Sequence, residues 1–118
     1  MSISGLRSVK GNVLICLTAK PKAFPDCSKD QAARKMSVAA SASKMVEFAG
    51  VTPGTYAISL IHDENGNGKL DTRVIIPREG FGFSRNPAIT FGPPKFAAAS
   101  FGIVPGMNNQ SVKFKYML

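Results

Sequence analysis

The stretch TYAISLIH, residues 55–62, decides the fold. In an extended chain Tyr56, Ile58 and Leu60 point to one side while Ala57, Ser59 and Ile61 point to the other. Both sides are largely apolar and the segment is long and β-branched, so it is expected at the centre of a sheet with neighbours on either hand. The approach to it, Gly50-Val51-Thr52-Pro53-Gly54, sets Pro53-Gly54 where a type II turn takes proline followed by a residue at positive φ.

Working outward, the same period of two recurs. Val13, Ile15 and Leu17 alternate with Asn12, Leu14 and Cys16, the pattern of a strand buried on one face and partly on the other. Val46 and Phe48 alternate with Met45 and Glu47 in a shorter case. Val112, Phe114 and Tyr116 alternate with Lys113 and Lys115, as in a strand with one face in solvent. Ile3 to Leu6, Met36 to Ala40 and Ala99 to Val104 complete a set of about seven strands. Helix signals are confined to single turns, one behind the Asp30 cap through Lys35 and one from Phe96 to Ala99 after Pro93-Pro94. Neither is long enough to serve as the crossover of a parallel βαβ unit. The expected fold is therefore all-β, an antiparallel β-sandwich of immunoglobulin-like or transthyretin-like topology.

A chain of 118 residues is expected to form one domain, 1–118, with one core. Its 44% hydrophobic and 19% charged composition is that of a globular protein. No apolar run approaches the roughly 18 residues that a membrane-spanning helix needs. Met1-Ser2-Ile3-Ser4-Gly5-Leu6 shows no basic region followed by an apolar core, so no export signal is visible in this chain. Cys16 and Cys27 bracket ten residues that include Pro21 and Pro25, with no further thiol or histidine nearby to complete a zinc set. A disulfide closing that loop, rather than two reduced thiols, would contribute about 2–3 kcal/mol and fits an oxidising compartment, hence a secreted or periplasmic protein.

The net charge of +8 is unevenly laid out. No acid follows Glu79, so Arg85, Lys95, Lys113 and Lys115 dominate the last third. A basic surface attracts polyanions such as acidic polysaccharide, lipopolysaccharide or nucleic acid.

The central strand runs into HDENGNGKLD, residues 62–71. Counting Asp63 as position 1 puts Asn65, Asn67, Lys69 and Asp71 at positions 3, 5, 7 and 9, with Gly68 at the sharp bend of a calcium loop. Alternate side chains converge on one point, and Lys69 would offer its carbonyl. Position 12, where an EF-hand places a bidentate glutamate, is Val74, so Glu64, Glu79 or water would have to complete the shell. The competing reading is a metal-free turn, since Asn65-Gly66 and Asn67-Gly68 are strong turn dipeptides whose side chains satisfy the loop's own backbone. The carboxylates crowded into one loop favour calcium, at the modest affinity of extracellular modules.

Gly54-Thr55-Tyr56 through HDENGNGKLD, followed by Ile76-Pro77-Arg78-Glu79-Gly80-Phe81-Gly82-Phe83-Ser84 and by Phe91-Gly92-Pro93-Pro94-Lys95-Phe96, resembles the bacterial DUF2141 family over essentially the whole chain. The resemblance implies a β-sandwich exported from Gram-negative-type cells, ordinarily made with a signal peptide, and implies no activity.

Residues 76–96 gather Phe81, Phe83, Phe91 and Phe96 among glycines and prolines, a block read as too broken for regular structure. Buried, these rings would plug one end of the sandwich. Exposed, Phe81 and Phe83 with Arg78, Arg85 and Asn86 would form a candidate ligand surface for a glycan or peptide. Glu79-Gly80-Phe81-Gly82-Phe83-Ser84-Arg85-Asn86 also resembles the RNP1 strand of RNA-recognition modules, but Glu79, Ser84 and Asn86 stand in the wrong places and the helices of that fold are missing, so nucleic acid is not the expected partner. His62 is the only histidine, and neither Ser59 nor Ser84 sits in a nucleophile elbow, so no enzyme is expected. The sequence reads as an exported, non-catalytic module with a structural calcium loop that binds an anionic envelope polymer or an envelope protein. A scaffold domain with no ligand beyond the ion is the alternative.

Overall fold

The computed structural model describes residues 1–25, 27, 29–64, 80–87 and 94–116. Among them the strands run in chain order as β1 (Ser2–Ser4), β2 (Asn12–Thr18), β3 (Arg34–Ala39), β4 (Gly54–Asp63), β5 (Gly80–Phe83), β6 (Phe101–Ile103) and β7 (Ser111–Lys113), with a short helix α1 (Phe96–Ala99) before β6. The protein is an all-β sandwich: a five-stranded sheet in the order β3-β2-β4-β5, with β6 also on β4, and a two-stranded sheet of β1 and β7. No helix among the described residues is long and apolar enough to cross a membrane.

β4 is central, as its two-sided apolar pattern requires. β2 pairs antiparallel along it from Thr18 opposite Ala57 to Asn12 opposite Asp63. β5 pairs with its second half and β6 with its first three residues. The register places Val13, Ile15 and Leu17 opposite His62, Leu60 and Ile58, on one face. There they pack with Ile3, Val46, Val112 and Phe114 from the smaller sheet and its flanks. The other face carries Cys16, Ala57 and Ser59 beside Phe81 and Phe83, and it is covered too. Phe24 and Phe96 pack on it, and the Cys16–Cys27 disulfide ties down the loop that carries Phe24. Each fully buried large side chain, such as Ile15 and Leu60, contributes about 1.5–3 kcal/mol.

Several local expectations are corrected. Met45 to Phe48 forms no strand; it meets the N-terminal segment through a bridge from Met45 to Ser2 and a pair of hydrogen bonds between Val46 and Met1. Gly80–Phe83, inside the block read as irregular, is a fully buried strand. The turn after Asp30 does not continue as a helix, and from Arg34 the chain is strand. Gly54 starts β4 without a positive φ; Gly50, at φ 68°, takes that role four residues earlier. β1 and β7 pair in parallel within a fold otherwise antiparallel. Strands from opposite ends of a chain need no hairpin, so nothing forces them antiparallel.

Candidate functional site

At the end of β4 two polar residues, His62 and Asp63, are completely buried. His62 Nε2 lies 2.8 Å from the Lys10 carbonyl oxygen and Nδ1 lies 2.8 Å from the Tyr116 hydroxyl. A carbonyl only accepts, so Nε2 carries a hydrogen and donates to Lys10, while Nδ1 is paired with the Tyr116 hydroxyl. The Tyr116 oxygen in turn accepts the backbone N–H of Arg7 at 3.1 Å. Both ring nitrogens are thus spent on joining β4 to the N-terminal segment and to the chain beyond β7. Burial pushes the Tyr116 phenol up, against the opposing hydrogen bond from Arg7.

The Arg7 guanidinium lies 4.5 Å from the centre of the Tyr116 ring, and its Nε donates to Glu64 Oε1 at 3.1 Å. Ser8 Oγ donates to the second carboxylate oxygen at 2.9 Å. The hydrogen bond from Arg7 holds the Glu64 carboxyl below its usual range; Ser8 assists and burial opposes. Glu64, a candidate to complete the calcium shell, is therefore committed to the N-terminal segment. That segment reaches the loop entrance because Gly11, at φ 67°, lies against the backbone carbonyls of Asp63 and Glu64, where any side chain would collide. Of the five predicted metal donors, Asp63 is described and buried; Asn65, Asn67, Lys69 and Asp71 lie outside the described residues. No group of three or more His, Cys, Asp or Glu gathers as a metal set among the described residues.

The candidate ligand surface divides. Phe81 and Phe83 are each 3% exposed and pack with Phe24, Phe96 and Ala99, as the packing reading expects, although on the outer face of the large sheet rather than at an end. Arg78 lies outside the described residues. Arg85 and Asn86 are exposed in a turn after β5, with φ of 67° and 46°. Asn86 anchors that turn to β7: its Nδ2 donates to the Ser111 carbonyl at 3.3 Å, and its Oδ1 accepts the Lys113 N–H at 2.9 Å. Left-handed backbone is costly for a residue with a side chain, and here the amide bonds to β7 offset it. Lys115 Nζ reaches the Pro87 carbonyl at 3.3 Å. Lys113 and Lys115 point outward because Val112 and Phe114, the residues between and beside them, fill the core.

Lys113 and Lys115 consequently share one outer face, while Arg85, on the turn that Asn86 ties to β7, donates from Nη1 to the Ser100 carbonyl at 3.4 Å. The ion pairs among the described residues are Arg7–Glu64 and Lys20–Asp30, and neither neutralises this face. In the second pair the Thr18 hydroxyl, more than Lys20, holds the Asp30 carboxyl below its usual range. The two lysines were visible in the sequence as the solvent side of an alternating strand. The tie between their strand and the turn of Arg85 and Asn86 was not, since the Lys113 amide that Asn86 receives lies 27 residues further along the chain.

The cysteine pair is joined as its spacing indicated, with Cα atoms 6.0 Å apart. A family model described as "Uncharacterized protein conserved in bacteria (DUF2141)" matches residues 1–113. No curated protein and no solved structure matches the chain.

Proposed function

Because the chain belongs to the DUF2141 family, whose description assigns no activity, we propose from its own residues that it is an exported, non-catalytic sandwich module holding an anionic envelope polymer on a basic surface that includes Lys113 and Lys115. The observation that carries this reading is the pair of exposed cations Lys113 and Lys115 beside the turn of Arg85 and Asn86, with no acid paired to them among the described residues. Export is supported by the disulfide. The non-catalytic reading is supported by the polar groups themselves: both His62 nitrogens are occupied by structural partners, Ser59 Oγ donates to the Pro25 carbonyl, and Ser84 Oγ donates to the Ala99 carbonyl. Phe81 and Phe83 would have to leave the core to stack on nucleobases.

Any basic protein is retained on a polyanion at low salt, so the test compares equal charge changes in different places. On resin-bound lipopolysaccharide and acidic polysaccharide, Lys113→Glu/Lys115→Glu is expected to lower the slope of log affinity against log salt by about 1–2, as loss of two ionic contacts requires. Lys22→Glu/Lys29→Glu, with the same net charge, is expected to stay near the parent. Equal losses in the two variants would reduce the effect to net charge and leave the scaffold alternative standing.

In the same reading the segment opened by Asp63 holds calcium through Asp63, Asn65, Asn67, the Lys69 carbonyl and Asp71. Its support is the spacing of oxygen donors in the sequence and the anchoring of its first donor at the end of the central strand. A site of extracellular affinity should add about 1.5–3 kcal/mol at about 10 mM calcium. The measurement is the melting temperature of EDTA-treated protein as calcium is added, in the parent and in Asn67→Ala. A rise of a few degrees confined to the parent is expected; no rise at millimolar calcium leaves the plain turn.

A further inference from the structure

Hydroperoxides oxidise thiols and the thioether of methionine, and access to the sulfur decides which site reacts first. This chain offers no thiol: it has 2 cysteines and they are joined, so its 5 methionines are the oxidisable sulfurs that remain. They are not equally placed. Met1 and Met36 are half-buried and pack against the main core. Met45 and Met107 are exposed by 64% and 87%. Met117 lies outside the described residues.

At both positions the backbone is held while the side chain meets water. Met107 stands on a turn that Asn108 closes: Asn108 Oδ1 accepts the Val104 N–H at 3.1 Å, and its Nδ2 donates to the carbonyls of Val104 at 2.7 Å and Gly106 at 3.2 Å. Met45 precedes Val46, whose N–H and carbonyl both bond to Met1 and whose side chain is buried. Oxygen can therefore be added to either sulfur without opening the fold. The two residues come from separate parts of the chain, before β4 and after β6, and line one groove together with the apolar side chains of Phe48, Val51, Ile103 and Val104.

We propose that Met45 and Met107 are sites of reversible oxidation to methionine sulfoxide by hydroperoxides, and that their oxidation turns the lining of this groove from apolar to polar. In each event the thioether sulfur attacks a peroxide oxygen. An S–O bond forms, the O–O bond breaks, and the proton of the transferred oxygen passes to the leaving one. Sulfur loses two electrons, and the peroxide ends as water or an alcohol. A dithiol-dependent sulfoxide reductase reverses the step: the dithiol becomes a disulfide and the oxygen leaves as water. The oxidised side chain is polar where the thioether was apolar, and two such groups in one groove change the character of its surface. Neither exposed side chain fills the core, so the fold survives. The polymer surface and the calcium segment use none of these residues.

The test is limited oxidation of the intact, disulfide-bonded protein with hydrogen peroxide, followed by peptide mapping. Met45 and Met107 should each gain an oxygen atom about fivefold faster than Met36 or more, since susceptibility follows exposure, and the melting temperature should stay at the parental value. On a hydrophobic-interaction column the oxidised protein should elute earlier than the untreated one, and sulfoxide reductases acting on both epimers should restore the original elution. Met45→Leu/Met107→Leu keeps the apolar surface without the sulfurs, so peroxide should leave its elution in place. Oxidation of Met36 as fast as that of Met45 and Met107 overturns the proposal. So does a melting temperature that falls as those two sites are oxidised, or an equal elution shift in the parent and the double variant.

Discussion

Truncation of Phe83 to alanine is expected to lower stability by about 3–5 kcal/mol, the usual cost of emptying a buried phenyl site. The ring is 3% exposed, in edge contact with Phe24 at 5.7 Å between centroids and tilted against Phe81 at 5.9 Å. It stands where three parts of the chain meet, on β5, under the disulfide loop and beside α1. Those parts reach the ring from different directions and cannot all close on an alanine, so a cavity should remain. A domain of this size is stable by roughly 5–15 kcal/mol, so the variant should unfold at clearly lower urea, with a melting temperature many degrees below the parent. If Phe83 were instead a ligand-facing ring, truncation would leave the urea midpoint in place and abolish binding. The two outcomes are read from one denaturation series and one retention assay.

The second large effect lies in the same layer. Replacing both Cys16 and Cys27 by alanine should cost about 3 kcal/mol, the chain-entropy estimate for the short loop they close, across their sequence separation of 11. Urea unfolding with and without a reductant checks the magnitude, and a mass gain of two hydrogens on reduction checks the bond. The two losses should fall short of adding. Phe24 is held over Phe83 by the disulfide loop, and once that loop is loosened the ring beneath has less packing left to lose. Strict additivity would mean that the loop and β5 do not depend on each other.

The fold was legible wherever alternation was strong. β2 and β4 carry their pattern over seven and ten residues, long enough for the period to stand out, and their inward residues are those the sequence named. β5 was not legible, because Gly-Phe-Gly-Phe has half its positions in the residue least favoured in strands. The reason for those glycines is tertiary. A Cβ on Gly80 would enter the Tyr116 ring, and one on Gly82 would press on Val112 and the Lys113 backbone. Local sequence holds no record of which distant side chains occupy that space.

The candidate site follows the same division. Cys16 and Cys27 could be paired from their number and spacing, and Lys113 and Lys115 could be placed in solvent from alternation. Asn86, polar and following an aromatic run, reads from the sequence as part of a ligand surface. Its amide bonds β7 on both its oxygen and nitrogen, a role that local sequence does not announce. Arg7 gave no signal at all, since an isolated cation near a chain end acquires its role only when β1 and the end of β4 are brought together.

The side-by-side pairing of Ser2–Ser4 with Ser111–Lys113 sets a schedule for biogenesis. During synthesis from the N-terminus, β2, β3 and β4 can zip together early, whereas β7, which completes the lid over Val13, Ile15, Leu17, Ile58 and Leu60, emerges only after β2 to β6. Until then a broad oily surface faces water in the nascent chain, a hazard of folds closed by contacts distant in sequence. A holding chaperone would shield that surface until β7 has emerged.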